Sequence, residues 1–401
     1  MTQSETKHVV SLSLTKSADG LVDPKLVLSW VLNALGAPGF LIGLLVPVRE
    51  AGALLPQLAL ARMIEARRIR KTFWVAGSLV QGLAALAMGL IVLTLSGAAA
   101  GWAIVAALAV FAIGRSVCSA SYKDVLARTV EKGRRGRVSG TAATIGSITV
   151  FAFAALLATG LIPREPGIIA LALFTAGGLW LLAALLFASL DEPPADADTD
   201  RSRPLSALFE PLIDDPELQT YIATRALLIS TALAPPFLVL LGSGQGSGFG
   251  NLGILMLASA LAAIASSYVW GAFADRSSRQ TLAIAGALAT VTFLAAAAIG
   301  FGSGGPVAGL WVAGLVFVAQ IAYEGARAGR KTHLTDMDTG DRKAVYTALS
   351  NTLIGVLLLA GGGLGLIADL AGVPVVLALL AGLSAAAVLT ALRLSEVQQE
   401  G

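Results

Sequence analysis

The stretch Gly271-Ala272-Phe273-Ala274-Asp275-Arg276-Ser277-Ser278-Arg279 packs an acid, two arginines and a leading glycine between two apolar runs, 251–271 and 281–302. Each run is of the length, about 20 residues, that a helix needs to cross roughly 30 Å of hydrocarbon. A short charged turn between two such runs is a loop at a membrane face. The sequence on either side has to be read as membrane-spanning too.

The composition agrees. Of 401 residues, 56% are hydrophobic and only 13% charged, and the mean hydropathy is +0.79. A soluble chain carries about 25% charged residues, so a water-soluble globule is excluded in favour of a polytopic helical membrane protein. Cys118 stands alone, which leaves no disulfide framework and no thiolate cluster; it reads as a small packing residue. The two histidines, His8 and His333, lie at opposite ends of the sequence, so neither a metal site nor any cofactor is expected. The opening MTQSETKHVV has no basic region followed by a clean apolar segment, and no signal peptide is expected.

Apolar windows bounded by Gly, Pro and charge predict twelve transmembrane helices. Six span 8–33, 40–62, 73–95, 102–121, 138–160 and 167–189; six more span 218–241, 251–271, 281–302, 307–328, 345–368 and 373–392. Lys16, Asp19, Asp23 and Lys25 depress hydropathy in the first span, yet Gly36-Ala37-Pro38-Gly39 is best read as a tight turn that separates it from the second. The fold expected is all-α, two pseudo-symmetric six-helix bundles at 1–190 and 218–401. Residues 191–217 join them as a cytoplasmic linker, an acidic disordered stretch followed by a short amphipathic helix over 205–213.

Basic residues set the orientation. They crowd 62–71, 123–137, 201–203, 276–279 and 330–343, with Lys7 and Arg393, while the other face holds Arg164 alone. Both termini are therefore expected in the cytoplasm, with the chain in the inner (plasma) membrane. The small positive net charge is topogenic and calls for no nucleic acid; the partners expected are the lipid bilayer, a small-molecule substrate and protons, on a monomer.

The opening stretch, Gly-x-x-x-Asp-Arg-x-x-Arg, resembles the loop signature of the major facilitator superfamily. The resemblance implies a cytoplasmic loop between helices 8 and 9, a copy between helices 2 and 3, and a substrate cavity at the midplane between two repeated halves. Sliding the halves past one another brings Lys123 onto Lys331, Arg134 onto Arg342, Lys16 onto Arg225 and Glu65 onto Asp275. The first-half copy, Ala61-Arg62-Met63-Ile64-Glu65-Ala66-Arg67-Arg68, departs from the pattern: it lacks the glycine and carries Glu for Asp. Gly271, Asp275, Arg276, Arg279 and Glu65 are thus the expected cytoplasmic gate. Asp275 should engage the amino end of a neighbouring helix or an arginine in the facing loop.

Charge at bilayer depth costs about 2.5 to 10 kcal/mol, so such residues face a cavity or a partner. Six cations, Lys16, Lys25, Arg49, Arg115, Arg225 and Arg327, and four acids, Asp19, Asp23, Glu50 and Glu324, fall within the predicted spans. Lys16, Asp19 and Asp23 share one helix face by their spacing. One reading has Lys16 and Arg225 facing each other across the pathway to attract an anion while Asp19 or Asp23 takes up a proton. The other has them as a salt-bridge set orienting helices 1, 2 and 7. Arg49 and Glu50 are adjacent and point about 100° apart, so each must find a partner elsewhere, with Asp19 or Asp23 available to Arg49. Arg115 resembles the arginine of the family's helix 4 signature, Arg-x-x-Gln-Gly, without its other residues. Glu324 and Arg327 have the spacing of a local ion pair.

The sequence carries no Gly-x-x-x-x-Gly-Lys-Ser/Thr phosphate loop, no metal cluster and no Ser/His constellation, so an enzyme is not expected. It points to a secondary active transporter of a small anionic or zwitterionic solute, working by alternating access and coupled to protons. The alternatives are an exporter of amphipathic compounds or drugs, and a scaffold or sensor that keeps the fold without transport. The family's helix 5 antiporter signature, Gly-x-x-x-Gly-Pro-x-x-Gly-Gly, is absent here; Gly140 and Gly146 have no following proline.

Overall fold

The computed structural model describes residues 2–131, 134–163, 165–194, 210–242, 252–305, 307–337 and 343–398. Every regular element among them is a helix. The first predicted span is divided into α1 (Gln3–Leu21) and α2 (Val27–Ala34), the second into α3 (Gly39–Leu54) and α4 (Gln57–Glu65). Then come α5 (Lys71–Thr94), α6 (Gly97–Thr129), α7 (Arg135–Thr159), α8 (Pro166–Ala188) and the short α9 (Glu210–Asp214). The seventh span is α10 (Pro216–Leu227) plus α11 (Ile229–Leu241), followed by α12 (Leu252–Arg276), α13 (Ser278–Gly302) and α14 (Gly309–Asp336). The eleventh is α15 (Lys343–Gly361) plus α16 (Leu364–Ala371), and α17 (Val373–Ala391) closes the series.

Among the described residues, ten helical segments are long and apolar enough to cross a membrane. The two expected spans that miss this measure are the first and second, and the reason is local. Pro24 lacks an N–H and its ring crowds the preceding turn, which ends α1. Asp23 then accepts the Lys25 N–H at 3.2 Å, the Leu28 N–H reaches the Asp23 carbonyl at 3.0 Å, and the Ser29 hydroxyl donates to the Pro24 carbonyl at 2.7 Å. The freed backbone groups are thus satisfied inside the protein, the condition for broken helix at membrane depth. The expected unbroken helix over 8–33 is corrected accordingly. Pro56 ends α3 in the same way, and Gly362-Gly363 divides α15 from α16. The turn at Gly36–Gly39 lies where the sequence puts it, with Gly36 at φ +75°, a left-handed conformation that glycine adopts without strain. Of the linker, residues 195–209 lie outside the described residues, and the expected surface helix over 205–213 is represented only by α9.

Small residues let the helices touch backbone to backbone, as packing within lipid requires. A Cβ on Gly77 of α5 would lie 2.6 Å from the Gly114 carbonyl oxygen of α6, and one on Gly177 of α8 would lie 2.9 Å from the Gly82 carbonyl oxygen of α5. In the later part of the chain Trp270 of α12 covers Gly325 of α14 and donates its ring N–H to the Ile321 carbonyl at 2.9 Å. Helices α1, α3, α5, α6, α7 and α8 pack among themselves, as do α10 to α17; the two sets meet where α3 lies against α11, α15 and α16, and where α7 lies against α12. Large apolar side chains such as Leu185, Leu310, Trp311 and Leu370 cover the outside. An apolar exterior around an interior that carries charge is the inverse of a soluble globule, and the chain is a multi-pass membrane protein.

Candidate functional site

A cavity of about 580 Å³ lies between the two sets, lined from α1, the α1–α2 break, α3, α6, α7, α11, α12 and α14. At its centre Asp19 holds two guanidinium groups. Arg49 Nη2 is 2.6 Å from Asp19 Oδ1, and Arg115 Nη1 is 2.6 Å from Asp19 Oδ2. Arg49 is buried and lies 5.2 Å from the Phe111 ring, whereas the Arg115 side chain is 40% exposed to the cavity. One carboxylate between two arginines leaves the cluster positive. Lys16, one turn before Asp19, adds a further cation on the same wall and has no ion-pair partner among the described residues.

The break supplies the next layer. Lys25 sits over the Tyr323 ring with Nζ 3.3 Å from its centroid, a cation–π contact that joins the break to α14. On α14 Glu324 accepts from Gln320 Nε2 at 3.0 Å and pairs with Arg327 Nη1 at 3.4 Å, the local pair its spacing suggests. Glu50 lines the same cavity and has no hydrogen-bond or ion-pair partner among the described residues.

Arg225 lies elsewhere. It lines a recess of about 60 Å³ with Glu50, Tyr323, Arg327 and Arg330, and its partners are neutral: Nη1 donates to Ser350 Oγ at 2.7 Å and Nη2 to Asn351 Oδ1 at 2.9 Å. Asn351 in turn donates to Gln57 Oε1 at 3.1 Å, tying α15 to α4. The reading in which Lys16 and Arg225 face each other meets two adjoining spaces: Lys16 lines the larger cavity and Arg225 the recess, and Glu50, Tyr323 and Arg327 line both.

The two helix sets close on one another at one end of the cavity. Near Gly253, α12 runs against the backbone of Leu157 and Ala158 in α7. Further along, Ala143, Gly146 and Ser147 of α7 and Ala260, Ala263 and Ser267 of α12 line opposite walls. Beyond them, Gly140 and Gly271 face open space. Here α1 runs parallel to α7, with Lys16 against Gly146 and Gly20 against Val150, and the C-terminal segment binds the start of α13. At the closed end the Phe40 N–H of α3 donates to Asp369 Oδ2 of α16 at 2.9 Å.

The stretch 271–279 covers the end of α12 and the start of α13. Asp275 and Arg276 are exposed, and Asp275 meets neither a helix end nor a facing arginine among the described residues. The second part of the stretch is engaged, by the chain's own C-terminal segment. Ser277 Oγ donates to Glu396 Oε2 at 2.6 Å, the Ser278 N–H donates to Gln398 Oε1 at 2.9 Å, and Arg279 Nε lies 3.5 Å from Glu396. A related cap serves α5: Glu192 accepts the Arg70 and Lys71 N–H groups at 3.0 and 2.7 Å, and Arg70 pairs with Asp124 at 3.0 Å. Each acid lies just past the last helix of its set, where it meets the positive end of a helix dipole. Sequence reading missed both, though an acid soon after α8 and after α17 was visible. The side chains of Arg62 and Glu65 lie outside the described residues.

The remaining singled-out residues are packing groups. Cys118 Sγ donates to the Trp74 carbonyl at 3.3 Å, His8 Nε2 bonds Thr129 Oγ1 at 2.7 Å, and His333 Nδ1 bonds Ser278 Oγ at 2.9 Å. No metal-binding group of three His, Cys, Asp or Glu occurs among the described residues.

No family model matches this sequence, and no curated protein does. Solved structures do match. A variant of the nucleoside transporter NupG is 12% identical with a TM-score of 0.72, over 98% of this chain and 100% of that one. A POT family transporter in complex with a thioalcohol-conjugated peptide is 11% identical with a TM-score of 0.74, over 96% and 94%. A POT family transporter in complex with 5-aminolevulinic acid is 10% identical with the same TM-score and coverage. At this identity what is shared is the fold, and it is shared over nearly the whole of each chain.

Proposed function

We propose that this chain, which has the fold of the major facilitator transporters, is a secondary active transporter that moves a small anionic or zwitterionic solute by alternating access, coupled to protons. Twelve spans in two six-helix halves, 1–190 and 218–401, flank the cavity, and 191–217 links them. Both termini face the cytoplasm across the inner membrane, and the working unit is a monomer. The observation that carries the reading is the charged cavity between the two helix sets. A cavity between two repeated halves is where transporters of this fold hold their substrate. The matched transporters, whose structures hold a peptide conjugate and 5-aminolevulinic acid, support a small-molecule cargo.

A scaffold or sensor would be marked by internally paired charges and no solvent-connected cavity. Lys16 and Glu50, which line the cavity with no ion-pair partner among the described residues, speak against it. The test is reconstitution in liposomes with an imposed pH gradient, following uptake of labelled small anions and zwitterions. The expected result is gradient-driven uptake that Lys16→Ala abolishes. Movement of only neutral or cationic compounds, unchanged by Lys16→Ala, overturns it.

A further inference from the structure

We propose that the cavity takes a small zwitterion in one orientation, its anionic group beside Lys16 and its ammonium group beside Glu50. This deepens the transporter reading and rests on it. The other cavity charges are already engaged. Asp19 is occupied by Arg49 and Arg115, Glu324 by Arg327 and Gln320, Asp23 by the Lys25 N–H, and Lys25 by the Tyr323 ring. That leaves one cation and one acid lining the same cavity with no hydrogen-bond or ion-pair partner among the described residues.

Their surroundings set the polarity. Lys16 lines the cavity together with Arg115 and Arg327, whose side chains are 40% and 59% exposed and keep N–H groups free beyond their carboxylate contacts, so three cationic heads are offered to an anion there. Glu50 is half-buried where the cavity meets the smaller recess, and it points about 100° away from Arg49 around α3. A neutral solute would give neither group an ion-pair partner, and a simple anion would give one only to Lys16. A molecule carrying both charges satisfies the pair.

The experiment uses the purified full-length chain in detergent and measures thermal stabilisation by three probe sets matched in size. The first is free amino acids, dipeptides and ω-amino acids; the second is their N-acetyl forms; the third is their methyl esters. At least one free zwitterion is expected to stabilise the chain, and its N-acetyl and ester forms to bind about 10- to 100-fold more weakly, the effect of losing one charge-assisted hydrogen bond. Glu50→Gln should erase the preference for the free amine while the carboxylate preference stays, and Lys16→Gln should do the reverse. Equal binding of a zwitterion and its N-acetyl form by the unaltered chain overturns the proposal, as does absence of stabilisation by any zwitterion; neither result depends on a variant that folds. Liposome uptake of an anion without an amine would sink the zwitterion inference and leave the transporter reading standing. Zwitterion binding without uptake of any solute would do the opposite.

Discussion

Two arginines on the walls of the pathway are held in opposite ways. Arg49 is fixed by a carboxylate, Asp19, which also holds Arg115, while Arg225 is fixed by the neutral groups of Ser350 and Asn351. A shared carboxylate concentrates three charges into one joint, so that removing the acid strands two guanidinium groups at once. A neutral network spreads the hold over several groups, each worth less alone. The first arrangement is rigid and fails all at once; the second yields gradually and keeps a permanent net charge in place.

Asp19→Asn is the sharpest way to break this contrast. It should cost about 3 to 5 kcal/mol of stability, the loss seen when a buried ion pair is left half-made, and thermal melting in detergent reads it. Adding Arg115→Gln to it should restore part of that stability; a purely additive double variant would mean Asp19 does not couple the two arginines. Ser350→Ala or Asn351→Ala should cost about 1.5 to 3 kcal/mol each, the worth of one hydrogen bond to a charged group, and a loss above that of Asp19→Asn would erase the distinction between the two holds. Next is the stretch 271–279. Asp275→Asn should slow transport by about tenfold, roughly 1.4 kcal/mol, and Glu65→Gln by less, because the first-half copy has lost the glycine and the shorter acid. Equal rates in liposome uptake would remove this asymmetry. The smallest effects belong to the acidic caps. Glu192→Gln and Glu396→Gln should each cost under about 1 kcal/mol, with faster amide hydrogen exchange confined to the first turns of α5 and α13.

The fold was legible because it rests on signals that stand in the open chain. Gly271 to Arg279, the run lengths and the one-sided basic loops need no tertiary information, and the matched transporters share the architecture they imply. The site was half legible. Charged residues at membrane depth announce themselves by their cost, so nearly all the charged groups lining the cavity were in view. Their pairing was harder. Arg49 with Asp19 was one of two choices that spacing left open, and the structure decides it. Ser350, Asn351 and Gln57 were invisible, since a neutral polar side chain barely moves the hydropathy of its span and hydrogen-bonds across helices far apart in sequence. Pro24 was in plain sight, but the turn at Gly36–Gly39 set the span at 8–33 despite the charges within it, and the proline was passed over. In the stretch 271–279 the expectation fell on Asp275, whereas the contacts are made by Ser277 and Ser278 with the chain's own C-terminal segment.

The interruptions at Asp23-Pro24, Pro56, Leu228 and Gly362-Gly363 carry a mechanical consequence. A continuous helix behaves as a beam and passes a bending moment from end to end; a helix cut by a proline or a pair of glycines passes almost none. The four cut spans supply the α1–α2 break, the recess wall and the α3–α16 closure, while α5, α6, α8, α13 and α17 run uncut. Among the described residues the helices thus divide into uncut spans and jointed ones, and the joints lie beside the cavity, its recess and the α3–α16 contact.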